Sequence, residues 1–233
     1  MKRVYTAVAT AAVAGGHEVR LDGRSLRSPA KASLIFPTAG LADAVAAEWE
    51  AQKETVQPHT MPLMQIASTA VDRIAAQQAA VAAAVVAYAE TDLLCYRAEH
   101  PQELAQRQNR HWQPLLDWAA LQHDAALRVL PGLMPRPQPP EAVQALRRVV
   151  ERCDVFGLSA LQLATAASGS LVIALALLAG RVTPDQAFVA ACLDELFQAE
   201  QWGEDAEAVR RRESVRGDLV AARRFHDLLS PRP

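Results

Sequence analysis

The spacing of apolar residues in this 233-residue chain changes at Thr38. Before Thr38, short runs that alternate apolar and polar residues flank the pair Asp22-Gly23. This pattern is typical of a hairpin with a type I′ turn, which needs positive φ at both central positions. After Thr38, apolar residues recur every fourth position from Leu41 to Trp49, which places them on one face of a helix. The sequence therefore predicts a small antiparallel β unit followed by helices.

Composition supports a helical body. Half of the residues are apolar, while aromatic residues make up only 5% and there are ten glycines. Such chains favour closely packed helices over sheets. We predict an α+β protein, with a β-rich domain and first helix at residues 1–58 and a larger all-helical domain at residues 59–233. Further helices are predicted at about 62–74, 78–96, 102–121, 140–153, 157–179, 184–201 and 204–228.

Several local signals refine this prediction. Pro114 should kink or break the helix at 102–121, because proline lacks the N–H that the helix needs. Thr183 should cap a helix through a capping box with Gln186. The proline-rich segment Leu130–Pro140 should be an extended connector, and short strands are expected at Ala32–Phe36 and Ala125–Val129.

Charge and motifs exclude several classes of function. A net charge of −2 gives no field that would recruit nucleic acid or an anionic membrane. The three cysteines and six histidines lack metal-ligand spacing, and there is no phosphate-binding glycine motif. The apolar stretch Val155–Gly180 is interrupted by polar residues, which favours a core helix over a membrane span. We therefore predict no metal, cofactor, nucleic acid or membrane insertion.

The segment Leu193–Glu207 carries six acids and no base, and residues 208–225 carry six arginines against two acids. Three interpretations are open: a surface that docks a partner around Trp202, a solvated acidic face, and a carboxylate site for acid–base chemistry. The third needs Glu200, Glu204 and Glu207 on one face of a continuous helix. The simplest role for the arginines is to pair with the acidic block.

Four blocks, taken together, carry a family resemblance: LDGRSLRSPAK (21–31), AAEWEAQ (46–52) with MPL (61–63), TDLLCYRAE (91–99) and LDELFQAEQWGEDAE (193–207). The chain resembles the ATP synthase assembly chaperones that bind the α subunit of the F-one catalytic sector, found in mitochondria and α-proteobacteria. It departs from their pattern at Leu196 and Phe197, where an acidic residue and a tryptophan are expected.

The resemblance implies a protein that is not an enzyme. It would bind the unassembled α subunit transiently, cover the surface that later faces the β subunit, and leave when β arrives. We expect a monomer in a bacterial cytoplasm, with Trp49 and the Asp22-Gly23 turn as structural anchors. The alternative is an enzyme or small-ligand binder that uses the carboxylates of Glu200 and Glu204. The predicted partner-binding residues are Glu195, Glu200, Trp202, Glu204 and Asp205.

Overall fold

A computed structural model describes residues 2–132 and 136–230 and confirms the α+β fold class. The β unit lies at the N-terminus, and most of the remaining described chain is helical. The strands are β1 Val8–Val13, β2 Gly16–Leu21, β3 Arg24–Ser25, β4 Tyr96–Arg97 and β5 Leu130–Pro131. The helices are α1 Ala39–Glu50, α2 Pro62–Thr69, α3 Ala75–Ala87, α4 Gln102–His123, α5 Pro140–Val150, α6 Val155–Ser168, α7 Leu171–Leu178, α8 Pro184–Ala191, α9 Leu193–Trp202 and α10 Ala206–Asp227.

Strands β1, β2 and β3 form an antiparallel sheet in that order. Asp22 and Gly23 connect β2 to β3 with φ values of 48° and 79°, as a type I′ turn requires. The Asp22 carboxylate accepts hydrogen bonds from the backbone N–H groups of Ala7 (2.8 Å) and Thr6 (3.0 Å). These bonds, that from Ala7 first, lower the pKa of Asp22. The turn is therefore tied to the segment that leads into β1.

The described residues form two compact units. The first comprises the described parts of residues 1–78, 154–160 and 221–233. In this unit α1 packs on the sheet, and the buried Trp49 contacts Tyr5 edge to face, with ring centroids 5.6 Å apart. Phe225 stacks on Phe156 at 6.4 Å. Residues from both ends of the chain therefore build one core.

The second unit comprises the described parts of residues 79–153 and 161–220. Every residue of α7 is buried, so this short helix is the centre of the unit. Trp112 of α4 is 1% exposed, and its Nε1–H donates to the Ala190 carbonyl at 2.8 Å. The predicted boundary between residues 58 and 59 stays a prediction.

The long helix predicted at 157–179 is wrong, because the chain forms α6 and α7 with a break between them. Gly169 has a φ of 67°, which ends α6 in the left-handed region. Ser170 then caps α7, accepting a hydrogen bond from the N–H of Ile173 at 3.0 Å. Gly169 therefore ends one helix and Ser170 begins the next, although the apolar pattern continues through both residues.

Helix α4 corrects the expectation for Pro114, since it continues through that residue to His123. Trp112, Leu115 and Leu116 on either side of the proline are buried, and their packing compensates for the missing hydrogen bond.

Other predicted boundaries were also wrong. The helix predicted at 78–96 ends at Ala87, and 3-10 turns follow. The helix predicted at 184–201 is divided at Cys192 into α8 and α9. The capping box of Thr183 and Gln186 is present at the start of α8.

The short strands differ from the prediction as well. No strand forms at Ala125–Val129; instead β5, in the proline-rich segment, pairs in parallel with β4. Residues 32–36 make only isolated bridges, such as that between Phe36 and His17. Residues 133–135 of the predicted connector lie outside the described residues.

One helical stretch within the described residues, Pro62–Cys95, is long and apolar enough to cross a membrane. Core helices of globular proteins meet the same criterion, so this is weak evidence for a span.

Candidate partner-binding surface

The acidic block forms a helix, a corner and the start of a second helix. Helix α9 ends at Trp202, and Gly203 follows with a φ of 89°, a conformation that favours glycine. The Asp205 carboxylate accepts hydrogen bonds from the N–H groups of Glu207 (3.0 Å) and Ala208 (2.9 Å), which caps α10. The Trp202 side chain is left at the corner, 79% exposed.

This corner excludes the continuous helix that a three-carboxylate face requires. The non-helical residues between Trp202 and Ala206 interrupt the i, i+4, i+7 spacing of Glu200, Glu204 and Glu207. The interpretation of these three acids as one helical carboxylate face is therefore wrong.

Three of the predicted binding residues form ion pairs with arginines. Glu195 pairs with Arg211, and Glu204 pairs with Arg212. Both arginines lie in α10, so part of the acidic block does pair with the adjacent arginines.

The third pair was not predicted. Glu200 pairs at 2.6 Å with Arg107 of α4, which also contacts Glu103 at 3.1 Å. The hydrogen bond with Glu200 is the main cause of a raised pKa at Arg107. The Arg107 guanidinium also lies 5.1 Å from the ring centre of Phe197, which is buried. Arg107 therefore connects α4 to α9 through the Glu200 carboxylate and the Phe197 ring.

The pair between Arg212 and Glu204 is asymmetric. The Arg212 side chain is 6% exposed, whereas that of Glu204 is 56% exposed. A buried guanidinium without a counter-charge is strongly destabilising. Glu204 therefore stabilises the fold locally, whatever else it contacts.

Asp194 lies beneath this surface and was not among the predicted binding residues. Its carboxylate accepts a hydrogen bond from Gln108 Nε2 at 2.8 Å, and the Gln108 side-chain oxygen accepts one from the N–H of Ala98 at 2.7 Å. Burial raises the pKa of Asp194. Gln108 is almost fully buried and joins three segments, a role that its place in a polar sequence did not indicate.

An open depression of about 580 Å³ lies beside Glu200 and Glu204. Both carboxylates are bound to arginines, so they are not arranged as a free acid–base pair. Residues 2–132 and 136–230 also contain no group of three His, Cys, Asp or Glu side chains that could hold a metal ion. The depression is lined by Arg107, Arg110, His111, Val189, Leu196, Ala199, Glu200 and Glu204.

Comparison with known proteins shows the family to which the chain belongs. The family model described as ATP12 chaperone protein matches residues 2–120. "Protein atp12, mitochondrial" of Schizosaccharomyces pombe is 24% identical over 222 residues, which cover 89% of this chain and 76% of that protein.

Solved structures agree closely with the fold. Atp12 from Paracoccus denitrificans is 41% identical, with a TM-score of 0.94 and coverage of 98% of each chain. A protein from Agrobacterium tumefaciens is 42% identical with a TM-score of 0.93, covering 98% of this chain and 86% of that one. The chain therefore belongs to the ATP12 chaperone family, the ATP synthase assembly chaperones that its sequence resembles.

Proposed function

We propose that this chaperone binds the unassembled α subunit of the ATP synthase F-one sector through the surface around Trp202. It covers the apolar α surface that later faces the β subunit, and β displaces it. An exposed apolar surface on an unassembled subunit promotes aggregation until it is covered. The observation that carries the proposal is Trp202, a large aromatic side chain that is 79% exposed at a fixed corner of the fold.

Trp202 has the properties of an interface anchor. Tryptophan is enriched among the residues that dominate binding energy, because it buries a large apolar area with few rotatable bonds. Gly203 and the Asp205 cap fix the backbone on the C-terminal side of the ring. Little backbone entropy is then lost when the side chain is buried against a partner.

In this proposal the acidic residues form the rim of the interface around Trp202. Glu195, Glu200 and Glu204 pair with arginines of α10 and α4, and their side chains are 31%, 51% and 56% exposed. Charged pairs at a rim influence orientation and association rate more than total affinity. We therefore assign the main binding energy to Trp202 and orientation to the carboxylates.

The first experiment is co-expression of this chain with the α subunit from the same organism, followed by co-purification. We expect α to stay soluble in a complex, and purified β to release it. Well-folded chaperone that neither captures α nor prevents its aggregation would contradict the proposal.

Two variants with matched controls then test the surface. Trp202→Ala should weaken α binding at least tenfold, because truncation of an anchor typically costs about 2 kcal/mol or more. Leu121→Ala is its control, since Leu121 is 88% exposed on α4. Equal losses of affinity in the two variants would mean that Trp202 is not the anchor.

The second test reverses one charge. Glu200→Lys should weaken α binding while the protein stays folded, because an exposed ion pair contributes about 0–1 kcal/mol to stability. Glu103→Lys is the control, since it breaks the other ion pair of the same Arg107. If both variants bind α as the wild type does, Glu200 is not a contact residue.

Membership in a chaperone family argues against a catalytic role, and the arginine-bound carboxylates beside the depression give no support to the enzyme alternative. We further propose that the protein acts as a monomer in a bacterial cytoplasm; its S. pombe relative is a mitochondrial protein.

A further inference from the structure

The first compact unit contains an open groove of about 760 Å³, well away in sequence from the acidic block. Most of the surface area that lines it is apolar, and two methionines contribute to it. Methionine side chains are flexible and polarisable, so they adapt to apolar groups of different shape. The lining residues are Arg27, Ser28, Pro29, Trp49, Val56, Pro58, Met61, Met64, Gln65, Ser68, Thr69, Asp72 and Arg73.

Two buried polar groups in this lining lack partners. Trp49 and Ser68 are each 8% exposed, and neither Trp49 Nε1 nor Ser68 Oγ has a hydrogen-bond partner among the described residues. The indole N–H can only donate, so it needs an acceptor such as a carbonyl oxygen. Buried polar groups are nearly always paired in folded proteins. Both atoms are almost inaccessible in the free protein, so an outside acceptor reaches them only when the lining side chains shift as the groove is filled.

The charge at the rim is positive. Asp72 uses both carboxylate oxygens within the chain, accepting from Ser28 Oγ and from the N–H of Ala30 at 3.1 Å. Arg73 is exposed and has no ion-pair partner within residues 2–132 and 136–230. Among the residues that the structure describes, Arg27 donates only to the Lys31 carbonyl, at 3.0 Å. A ligand that fits this rim carries negative charge.

We propose that this groove, which we call the Trp49 groove, is a second docking site that takes an extended apolar segment of the client α subunit. The segment presents a main-chain carbonyl oxygen to Trp49 Nε1–H and an acidic side chain to Arg73. The choice of client rests on the proposed function. A polypeptide fits better than a small apolar molecule, because it brings the acceptor, the apolar side chains and the carboxylate in one chain.

The first test locates the client on the chaperone. A photo-crosslinking amino acid is placed at Gln65 in the groove or at Gln77, which is exposed in the same unit but outside the lining. Each variant is irradiated in complex with purified α subunit, and crosslinked peptides are identified by mass spectrometry. We expect crosslinks from Gln65 to an apolar α segment with an acidic residue, and none from Gln77.

The second test removes single groups. Trp49→Phe deletes the indole N–H but keeps an aromatic ring. Because Trp49 is buried against Tyr5, the smaller ring should also lower the melting temperature, so α affinity is compared well below the melting temperature of the variant, where it should fall about threefold to tenfold. Arg73→Glu should slow α association at low salt, and the effect should fade at high salt. Lys53→Glu makes the same charge change outside the groove lining and should leave the association rate near that of the wild type.

The outcomes separate the two proposals. If wild-type chaperone binds α, but Gln65 gives no crosslink and both groove variants bind normally, the Trp49 groove is not a docking site and the proposed function stands. If crosslinks form but carry no acidic residue, and Arg73→Glu binds normally, the assigned role of Arg73 is wrong. If wild-type chaperone does not bind α at all, the proposed function and the groove's assigned client both fail.

Discussion

The buried carboxyl of Asp92 provides a quantitative test of the second compact unit. Asp92 is fully buried, and it accepts hydrogen bonds from the N–H groups of Leu94 (3.1 Å) and Val172 (3.2 Å). Desolvation outweighs these bonds and raises its pKa from 3.8 to about 6. In the unfolded chain the same group ionises near pH 4.

The sign of the effect follows from proton binding. Because the pKa is higher in the folded state, the folded protein holds this proton at pH values where the unfolded chain has lost it. The stabilisation is fully present below pH 3.8 and is lost as the pH rises through about 6. A difference of about two pKa units corresponds to about 3 kcal/mol.

The perturbation is Asp92→Asn, which keeps the size of the side chain and removes its titration. Asparagine has one acceptor oxygen, so the variant should be less stable than the wild type at pH 4.5, by about 1–3 kcal/mol. As the pH rises from 4.5 to 7, wild-type stability should fall by about 2 kcal/mol relative to the variant, because part of the total effect is already lost below pH 4.5. Other carboxyls with raised pKa values, such as Asp194, affect the stability of the wild type and the variant equally, so their contributions cancel in the difference.

The assay is urea unfolding followed by circular dichroism at half-unit steps from pH 4.5 to 7.5. The informative quantity is the difference in unfolding free energy between the two proteins at each pH. A difference that stays constant within about 0.5 kcal/mol would refute the reasoning, since Asp92 would then titrate alike in the folded and unfolded states. Asp194→Asn is a useful comparison, because Asp194 is only partly buried and should give a shallower slope.

Two further predictions concern stability. Gly16→Ala should lower the unfolding free energy by about 3 kcal/mol, as measured by thermal melting. A Cβ at Gly16 would lie 2.2 Å from the Phe36 carbonyl oxygen, and the φ of 151° is unfavourable for alanine. Glu204→Gln should cost about 2–3 kcal/mol, because it leaves the buried guanidinium of Arg212 with a neutral partner; urea unfolding at pH 7 measures it.

Each prediction has a matched control. Gly23→Ala meets no atom within 4 Å, so it should cost less than Gly16→Ala, and equal losses would mean that the contact with Phe36 is unimportant. Glu200→Gln breaks a pair whose arginine is 32% exposed, so it should cost less than Glu204→Gln. The reverse order would show that burial of the arginine does not determine the cost.

The features that local chemistry determines were predictable from the sequence. The Asp22-Gly23 turn and the capping box at Thr183 each depend on residues at most three positions apart. The break at Gly169 was also local, but a continuous apolar pattern concealed it. Apolar periodicity indicates which residues are buried, and it does not show where a buried helix stops.

The candidate surface was harder to predict, because its contacts join distant segments. The arginines of α10 lie close in sequence to the acidic block, and two of them do pair with it. Arg107 lies in α4, and no local rule indicates that it reaches Glu200. The unpaired donors of the Trp49 groove are also a tertiary property, since sequence alone assigns Trp49 to the core and says nothing about its N–H.

The last described residues of the chain belong to the same unit as the first. Phe225 is fully buried against Phe156, and the Thr38 hydroxyl donates to the Leu228 carbonyl. During synthesis the N-terminal sheet leaves the ribosome long before these residues, and at about 5–20 residues per second the delay is on the order of ten seconds. Over that interval the sheet and α1 lack part of their core. A chaperone built in this way depends on synthesis of residues 221–230, or on assistance from other folding factors, before its N-terminal unit is stable.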